Sequence, residues 1–536
     1  MSGQDERRAR EALMRMAARR GILPEFPEAV SREVSALERS GWLEDPGLAD
    51  LRDRPFVTID DESSKDLDQA VHVRRQKEGW LISYALADAA HFVRPGTALF
   101  EEALRRGASY YFPGFSVPML PRRLSEGIVS LNPGVDRRAM VFEIPIRASA
   151  EVGETRVRRA KIRSRAKLSF ERVQAHYDAG DSPAGARGSA RLEAPIAESL
   201  DALREVGLLR ISEAQERGVV RYRRAEVKVE LGAGGFVVMA DLRHAIERYN
   251  EQISLLCNVE GARLLREGRR RDAALVQPIY RVHPPPEPDS MRSLERLMAA
   301  TAAAHALDPR RWVWRAGSGA PLADVLEGMP RQGRAGRIAR ALHRQAVYTN
   351  LRSSFSSRAA GHHGIGAEVY ARFSAPMREI VGVFLHEELW ESLEGEARPP
   401  HPAHSDEALR ALVVERANEA KLKQKEIERE AHRLVLDQLF EADLGLARSA
   451  RARSGTVVGL TGSRLHVLLD EPPIDVKIYL RHLGPSLAPS EAGEALVDPA
   501  GVVHFRLGDE VLVHVIERDP RSERWRLACA RAPGGA

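Results

Sequence analysis

Three β-rich runs that follow Arg54 constrain the fold more than any other feature of the chain. They read FVTID, DQAVHVRRQ and WLISYALAD, and only KEG separates the last two, a pattern typical of a β-hairpin. Strand patterns recur at RRAMVFEIPIRA and ETRVRRAKIRSRA, and helical patterns follow near 168–178, 195–216 and 246–267. We therefore expect a mixed sheet with helices, within a multidomain α+β protein.

The length, charge and cysteine content limit the class of protein. A chain of 536 residues, 43% hydrophobic and 29% charged, has room for about three to four domains. The net charge of +5 admits a polyanionic partner without establishing one. Two cysteines exclude a disulfide framework, and no apolar run approaches the ~18 residues of a membrane span. We expect a cytoplasmic monomer without a membrane segment.

The N-terminal residues 1–54 carry two amphipathic helical patterns joined by GILPEF. Such a pair predicts a helix-turn-helix or winged-helix-like module, and a helical cap packed on the next domain is equally compatible with the pattern. The charge to bind a polyanion comes from the arginines of this segment, which are Arg7, Arg8, Arg10, Arg19 and Arg20.

Residues 452–533 form the third predicted domain. They contain short strand patterns whose spacing is typical of a small β-barrel, and basic residues accompany them. We expect an OB-fold that binds nucleic acid. The alternative is a small β domain that only packs against the body of the protein.

An acidic segment, Thr58–Gln69, lies between two of the β-rich runs and carries the first chemical signal. It places carboxylates at Asp60, Asp61, Glu62, Asp66 and Asp68. Like charges at the end of a strand repel one another, and a divalent cation with oxygen ligands relieves that repulsion, which predicts a magnesium or manganese site. A solvated acidic loop is the alternative.

The same segment resembles a known family. The run TIDDESSKDLDQAVHV, together with PMLPRRLSEGIVSLNPG, is similar to the catalytic domain of the ribonuclease II / ribonuclease R family, the RNB domain. Two further segments, PIYRVHPPPEP and YARFSAPMREIVGVFLH, resemble family segments and occur in the family's order. The resemblance predicts an RNB catalytic domain over 55–446, followed by the OB-fold that the family carries at this place.

The resemblance implies a metal-dependent exoribonuclease. Such an enzyme digests single-stranded RNA in the 3′→5′ direction, releases nucleoside 5′-monophosphates and takes part in RNA turnover. Carried over to this chain, Asp60, Asp66 and Asp68 are the expected ligands of Mg²⁺, with Mn²⁺ as an alternative ion. Asp66 and Asp68 are also expected to be catalytic, and Asp68 is the residue whose loss should stop the reaction.

Three more residues match the family's RNA-binding positions. Tyr111 corresponds to a tyrosine that stacks on the terminal base, with core packing as the alternative. Arg378 corresponds to a catalytic arginine that reaches the scissile phosphate, with a surface salt bridge as the alternative. Glu428 corresponds to an acidic residue near the RNA 3′ end, and a solvated helix face explains it equally well.

Gln69 departs from the family, which has a fourth aspartate at this position. The amide removes one negative charge, so the number of metals is open, and we expect Gln69→Asp to lower the magnesium requirement. The departure also supports an alternative function, an RNB-derived RNA-binding protein with weak or lost hydrolysis. Asp88 and His91 belong to the family's pattern as well, and we expect structural roles for both.

Overall fold

The computed structural model describes residues 2–180, 192–219, 226–241, 243–397, 401–447, 451–484, 486–520 and 524–533. Within these ranges the helices are α1 (Ser2–Arg19), α2 (Glu28–Arg39), α3 (Ala89–Phe92), α4 (Ala98–Arg106), α5 (Phe170–Gly180), α6 (Ala194–Glu216), α7 (Ala245–Arg271), α8 (Pro288–Ala304), α9 (Pro309–Trp312), α10 (Leu322–Glu327), α11 (Gly333–Tyr348), α12 (Ile380–Glu394) and α13 (Asp406–Leu444).

The strands in chain order are β1 (Ala49–Asp50), β2 (Val57–Ile59), β3 (Gln69–Gln76), β4 (Gly79–Ala87), β5 (Tyr110–Phe112), β6 (Phe115–Val117), β7 (Asp136–Arg147), β8 (Arg156–Arg163), β9 (Ala166–Leu168), β10 (Glu226–Gly232), β11 (Gly235–Asp241), β12 (Tyr280–Val282), β13 (Ser354–Ser356), β14 (Ala452–Thr461), β15 (Arg464–Leu469), β16 (Asp475–Tyr479), β17 (Ala488–Pro489), β18 (Ala495–Val497), β19 (Val503–Arg506), β20 (Glu510–Arg518) and β21 (Trp525–Arg531).

A seven-stranded sheet in the order β1-β8-β7-β4-β3-β2-β9 organises the first half of the chain. The hairpin predicted at KEG is present, since β3 and β4 pair antiparallel from Gln69 opposite Leu86 to Gln76 opposite Gly79. Gly79 adopts φ +150°, and a Cβ there would collide with the Ile146 carbonyl on β7. Only glycine therefore suits this turn. The mixed α+β class expected from the sequence is confirmed.

Helices α6 and α7 pack against each other, and α6 covers β3 while α7 contacts α12. One hydrophobic cluster runs from Val30 on α2 through the sheet to Val413 and Ala417 on α13. Every strand next to the acidic segment is therefore backed by buried apolar side chains, which gives the segment a rigid base. None of the helices in the described ranges is long and apolar enough to cross a membrane.

The two N-terminal helices pack on different parts of the body. Helix α1 contacts α13 and the β10–β11 hairpin, with Leu13 and Met16 fully buried, whereas α2 contacts α4. Arg20 forms an ion pair of 2.5 Å with Glu430 on α13, and Arg19 lies 3.3 Å from the same carboxylate. Arg19 and Arg20 are thus occupied within the protein, and RNA binding by this segment stays a prediction.

The C-terminal residues form a five-stranded antiparallel sheet in the order β16-β15-β14-β20-β21. A separate hydrophobic cluster fills it, and the edge strands β16 and β21 lie next to each other, as in a rolled sheet. Arg337 on α11 anchors the sheet through Asp470, with both nitrogen–oxygen distances at 2.9 Å. The predicted boundaries at 452 and 533, and the predicted RNA-binding role, stay predictions.

A buried carboxyl group on α12 should make the stability of the protein pH-dependent. Burial raises the pKa of Glu388 to about 8 from an ordinary value of 4.5, and the backbone N–H of Gln277 donates to its carboxyl group. Between these two pH values the folded state holds a proton that the unfolded state has lost, so the free energy of unfolding falls as the pH rises. The maximum slope is about 1.4 kcal/mol per pH unit.

We therefore expect Glu388→Gln to gain stability over the wild type as the pH rises from 5 to 8. The glutamine stays neutral and its carbonyl oxygen still accepts the Gln277 bond. Melting temperatures of both proteins at each pH measure the effect. Two curves that run parallel over this range would contradict it.

Candidate RNA-binding and catalytic site

The acidic segment is a loop between β2 and β3 with a defined shape. The Asp60 N–H donates to the Leu168 carbonyl at 3.1 Å, which continues the pairing of β2 with β9. The Asp60 carboxylate accepts hydrogen bonds from the Asp61 N–H (2.8 Å) and the Ser64 hydroxyl (2.9 Å). The loop is therefore held by its own side chains, and it places Asp68 immediately before β3.

Asp68 is the best-fixed carboxylate of the segment, with only 2% of its surface exposed. One oxygen accepts from the Met377 N–H at 2.9 Å, and the other accepts from Nε of Arg378 at 2.5 Å. Burial raises the pKa of Asp68 to about 6, although Arg378 and Met377 oppose the shift. Burial likewise raises the pKa of Asp66, and the charge of Asp60 adds to it.

Arg378 lies on the segment between β13 and α12 and has one third of its side chain exposed. Burial alone would lower its pKa, but Asp68 and Tyr111 outweigh burial and raise it. The backbone fixes its position relative to Tyr111, because the Ser109 N–H donates to the Arg378 carbonyl at 2.9 Å. Asp68, Arg378 and Tyr111 therefore form one group, although they are far apart in sequence.

Tyr111 and its neighbour Tyr110 point to opposite sides of β5. Tyr110 is 3% exposed and donates its hydroxyl to the Arg106 carbonyl at 2.9 Å, whereas Tyr111 is 47% exposed. Tyr110, and not Tyr111, is therefore the tyrosine that packs in the core. Gln424 on α13 holds Tyr111 by its backbone, accepting from the N–H at 3.1 Å and donating to the carbonyl at 3.3 Å.

Two cavities meet at Tyr111. The larger, of about 710 Å³, is bounded by the β10 strand, α11, α13 and the C-terminal sheet, and Glu428 lies on its wall. The smaller, of about 210 Å³, is lined by Arg378 and by residues of α13. Glu428 accepts from the Gln424 amide at 3.3 Å, so it is next to the residue that holds Tyr111 and is separate from the aspartates.

Comparison with known proteins shows the family to which the chain belongs. The model of the RNB domain family matches residues 48–395, which is more than half of the chain. The chain belongs to the RNB family. Ribonuclease R of Escherichia coli is 27% identical over 528 residues, covering 95% of this chain and 61% of the relative. Ribonuclease R of Vibrio parahaemolyticus is 30% identical over 368 residues, which is 68% of this chain and 41% of the relative.

Solved structures agree with the RNB fold. Mycoplasma genitalium RNase R in complex with ribose methylated single-stranded RNA matches with a TM-score of 0.82 and 20% identity, covering 97% of this chain and 78% of that one. Yeast Ssd1, a pseudonuclease, matches with a TM-score of 0.59 and 15% identity, covering 90% of this chain and 54% of that one. The RNB chain thus spans about three fifths of the length of the first curated relatives, and 41% of another.

Gln69, where the RNB family pattern has an aspartate, is committed to other contacts. Its amide nitrogen donates to the Ser374 carbonyl, and its amide oxygen accepts from the Tyr84 hydroxyl in the sheet. In the part of the chain that the structure describes, no three carboxylate, histidine or cysteine side chains are grouped to hold a metal ion. As they stand, Asp60, Asp66 and Asp68 therefore supply suitable oxygen donors without forming an ion site.

Asp88 follows the end of β4, and the half-buried His91 lies on α3. Asp88 is fully buried between Arg138 (3.2 Å) and Arg159 (3.5 Å). Burial lowers the pKa of His91 to about 4, so the imidazole is neutral at physiological pH. Asp88 therefore belongs to a buried charge network at the end of β4, and structural roles for both residues stay a prediction.

The sequence interpretation missed two residues next to the RNB site, Gln424 and Arg372. Gln424 fixes the Tyr111 backbone, and its signal was its position one helical turn before Glu428. Arg372 and Glu379 form an ion pair of 3.2 Å. Arg372 could not be recognised from the sequence, because it meets Glu379 only through the turn that carries Arg378.

Proposed function

We propose that this RNB protein is a 3′→5′ exoribonuclease that hydrolyses single-stranded RNA to nucleoside 5′-monophosphates. Family membership supports an RNA-degrading role. The observation that carries the proposal is the position of Arg378, which lies on the wall of the smaller cavity between the buried Asp68 carboxylate and the exposed Tyr111. This arrangement provides an anion-binding group beside a stacking surface.

In this proposal the RNA phosphate displaces Asp68 from Arg378. A guanidinium binds phosphate oxygens through two parallel N–H donors, so a backbone phosphate competes directly with the carboxylate. One oxygen of Asp68 is then free, while the Met377 N–H keeps the other in place. RNA binding would thus expose a charged, fixed carboxylate next to the phosphate that it is to act on.

Tyr111 allows the proposed site to accept RNA of any base sequence. A tyrosine ring stacks on any base, which suits an enzyme that removes one nucleotide after another. The ring can take this role because Gln424 holds its strand from the backbone, which leaves the aromatic face exposed. Glu428 lies one turn along α13, where it faces the larger cavity and the proposed RNA path.

We include a requirement for Mg²⁺ or Mn²⁺ in the proposal, since the acidic segment offers carboxylate oxygens, the donors that these hard ions prefer. The carboxylates do not form an ion site in the described arrangement, in which Arg378 neutralises Asp68. The release of Asp68 by RNA is therefore the step on which any ion requirement depends. A cytoplasmic location and a monomeric state remain predictions from the sequence.

The test is the digestion of single-stranded RNA labelled at its 5′ end, with Mg²⁺, with Mn²⁺ and with a chelator. We expect a ladder of products that shorten from the 3′ end, release of nucleoside 5′-monophosphates from a uniformly labelled strand, and no reaction with the chelator. Internal cleavage, or nucleoside 3′-monophosphate products, would contradict the proposal.

The second candidate is an RNA-binding protein with weak or lost hydrolysis. It is favoured by the Gln69 amide, which bonds Ser374 and Tyr84, and by the pairing of both Asp68 oxygens. Tight binding of RNA without shortening in either ion would establish this candidate in place of the first.

Gln69→Asp is a direct test of what position 69 does. Aspartate has no amide donor for the Ser374 carbonyl, and an unsatisfied buried polar group costs about 1–3 kcal/mol. Because Gln69 is bonded to Ser374 and Tyr84, the structure replaces the sequence expectation of a lower magnesium requirement: we expect a lower melting temperature and an unchanged magnesium concentration for half-maximal hydrolysis. Gln69→Asn, which stays neutral, is the matched control. If the aspartate variant alone needs less magnesium, position 69 controls ion binding, as the family pattern predicts.

A further inference from the structure

The smaller cavity beside Tyr111 is lined by more cationic than anionic side chains. Its wall includes Arg372, Arg378 and Lys421, and Glu379 is the carboxylate among its lining residues. Glu379 is already paired with Arg372 at 3.2 Å, and Arg378 is paired with Asp68. The third cation, Lys421, therefore decides the net charge of the cavity.

Lys421 and Arg281 meet at Ser353. Nζ of Lys421 donates to the Ser353 carbonyl at 2.8 Å and to its hydroxyl at 3.3 Å. Arg281 donates to the same hydroxyl through Nε (3.3 Å) and Nη2 (3.2 Å). The two cations also flank the Phe355 ring, at 5.4 Å and 5.7 Å from its centre. Among the described residues, neither of them forms an ion pair with a carboxylate.

Two cations that share one neutral hydroxyl repel each other. Burial lowers the pKa of Lys421 to about 8, and the charge of Arg281 adds to that effect. Burial also lowers the pKa of Arg281, with Arg372 acting in the same direction. An anion in the cavity would reduce this cost, because Lys421 is on the cavity wall and Arg281 shares Ser353 with it.

We propose that the cavity is a second phosphate subsite that takes a phosphomonoester next to the phosphate bound by Arg378. A phosphomonoester carries close to two negative charges, which matches Lys421 and Arg281, the two cations that form no ion pair with a carboxylate in the described ranges. The source is either a 3′-phosphate at the end of an RNA or the phosphate of a nucleoside monophosphate. The proposal rests on the proposed RNA binding at the Tyr111–Arg378 site. It adds a preference of that site for a ligand that ends in a phosphate.

The test compares two labelled single-stranded RNAs that differ only at the 3′ end, one with a hydroxyl and one with a phosphate. Binding to the 536-residue chain is measured without divalent ions, so hydrolysis does not interfere. We expect the 3′-phosphate RNA to bind about tenfold more tightly, the effect of one charge-assisted hydrogen bond. Lys421→Met should abolish the difference. Lys77→Met, which removes an exposed lysine from the β3–β4 turn, should preserve it.

A second arm measures the binding of adenosine 5′-monophosphate and of adenosine to the same three proteins. Monophosphate binding that is stronger than adenosine binding and is weakened by Lys421→Met assigns the subsite to mononucleotides, even if the RNA end has no effect. Equal affinity for both RNA ends, together with equal affinity for nucleotide and nucleoside, overturns the subsite. Failure of both RNAs to bind counts against the proposed function, and the mononucleotide arm still decides the subsite. The wild-type comparisons stand if Lys421→Met does not fold.

Discussion

Asp68→Asn is expected to lower the rate of RNA hydrolysis by about 10³-fold or more while RNA affinity changes little. The asparagine keeps the size of the side chain and can still accept from the Met377 N–H. It loses the negative charge that the proposed reaction requires, and removal of one electrostatic group from an active site has effects of this size. In the proposed function, binding depends instead on stacking and phosphate contacts distributed along the cavities.

The measurement pairs single-turnover hydrolysis with a binding isotherm on the same RNA. Asp61→Asn is the matched control, because Asp61 belongs to the same loop and is exposed. We expect it to retain activity close to that of the wild type. Near wild-type turnover by Asp68→Asn would remove Asp68 from the catalytic group.

Arg378→Ala should have the second largest effect, and it should affect both activity and stability. The phosphate loses its guanidinium partner, for which we expect a rate loss of about 10²- to 10³-fold. The buried Asp68 loses its ion-pair partner, and an uncompensated buried charge costs about 3–5 kcal/mol. Protonation of Asp68 relieves part of that cost, so the loss of stability should be smaller at pH 5 than at pH 8.

Arg378→Lys and a double variant separate the two contributions. Lysine keeps the charge without the planar pair of donors, so it should restore stability more than activity. The variant with both Asp68→Asn and Arg378→Ala should be more stable than the sum of the single changes predicts, because the two groups interact directly. Arg39→Ala, an exposed arginine at the end of α2, is the control. Additive effects would show that the ion pair contributes nothing to stability.

Local patterns in the sequence were sufficient for the secondary structure near the site. The KEG turn predicted the β3–β4 hairpin, and the predicted helices near 168–178, 195–216 and 246–267 correspond to α5, α6 and α7. These predictions succeed because hairpin turns and helical periodicity depend on residues that are close in sequence. The resemblance to the RNB family also named Asp68, Arg378 and Tyr111, which the structure brings together, while their roles remain to be tested.

The side-chain contacts at the site join residues that are far apart in sequence, and local sequence patterns could not predict them. Gln69 bonds a carbonyl 305 positions away, and Asp68 bonds an arginine 310 positions away. Arg281 and Lys421 both contact Ser353 because β12, β13 and α13 pack together. A sequence shows that such residues are charged or polar, whereas their partners depend on the tertiary fold.

Helix α13 has a mechanical consequence. It runs without interruption for 39 residues, and it touches the first hydrophobic cluster at Val413, holds Tyr111 through Gln424 and enters the C-terminal cluster at Phe440. At 1.5 Å per residue, Gln424 and Phe440 are about 24 Å apart on one rigid rod. A tilt of the helix by a few degrees about Phe440 displaces Gln424, and with it the Tyr111 backbone that Gln424 holds, by about 1 Å.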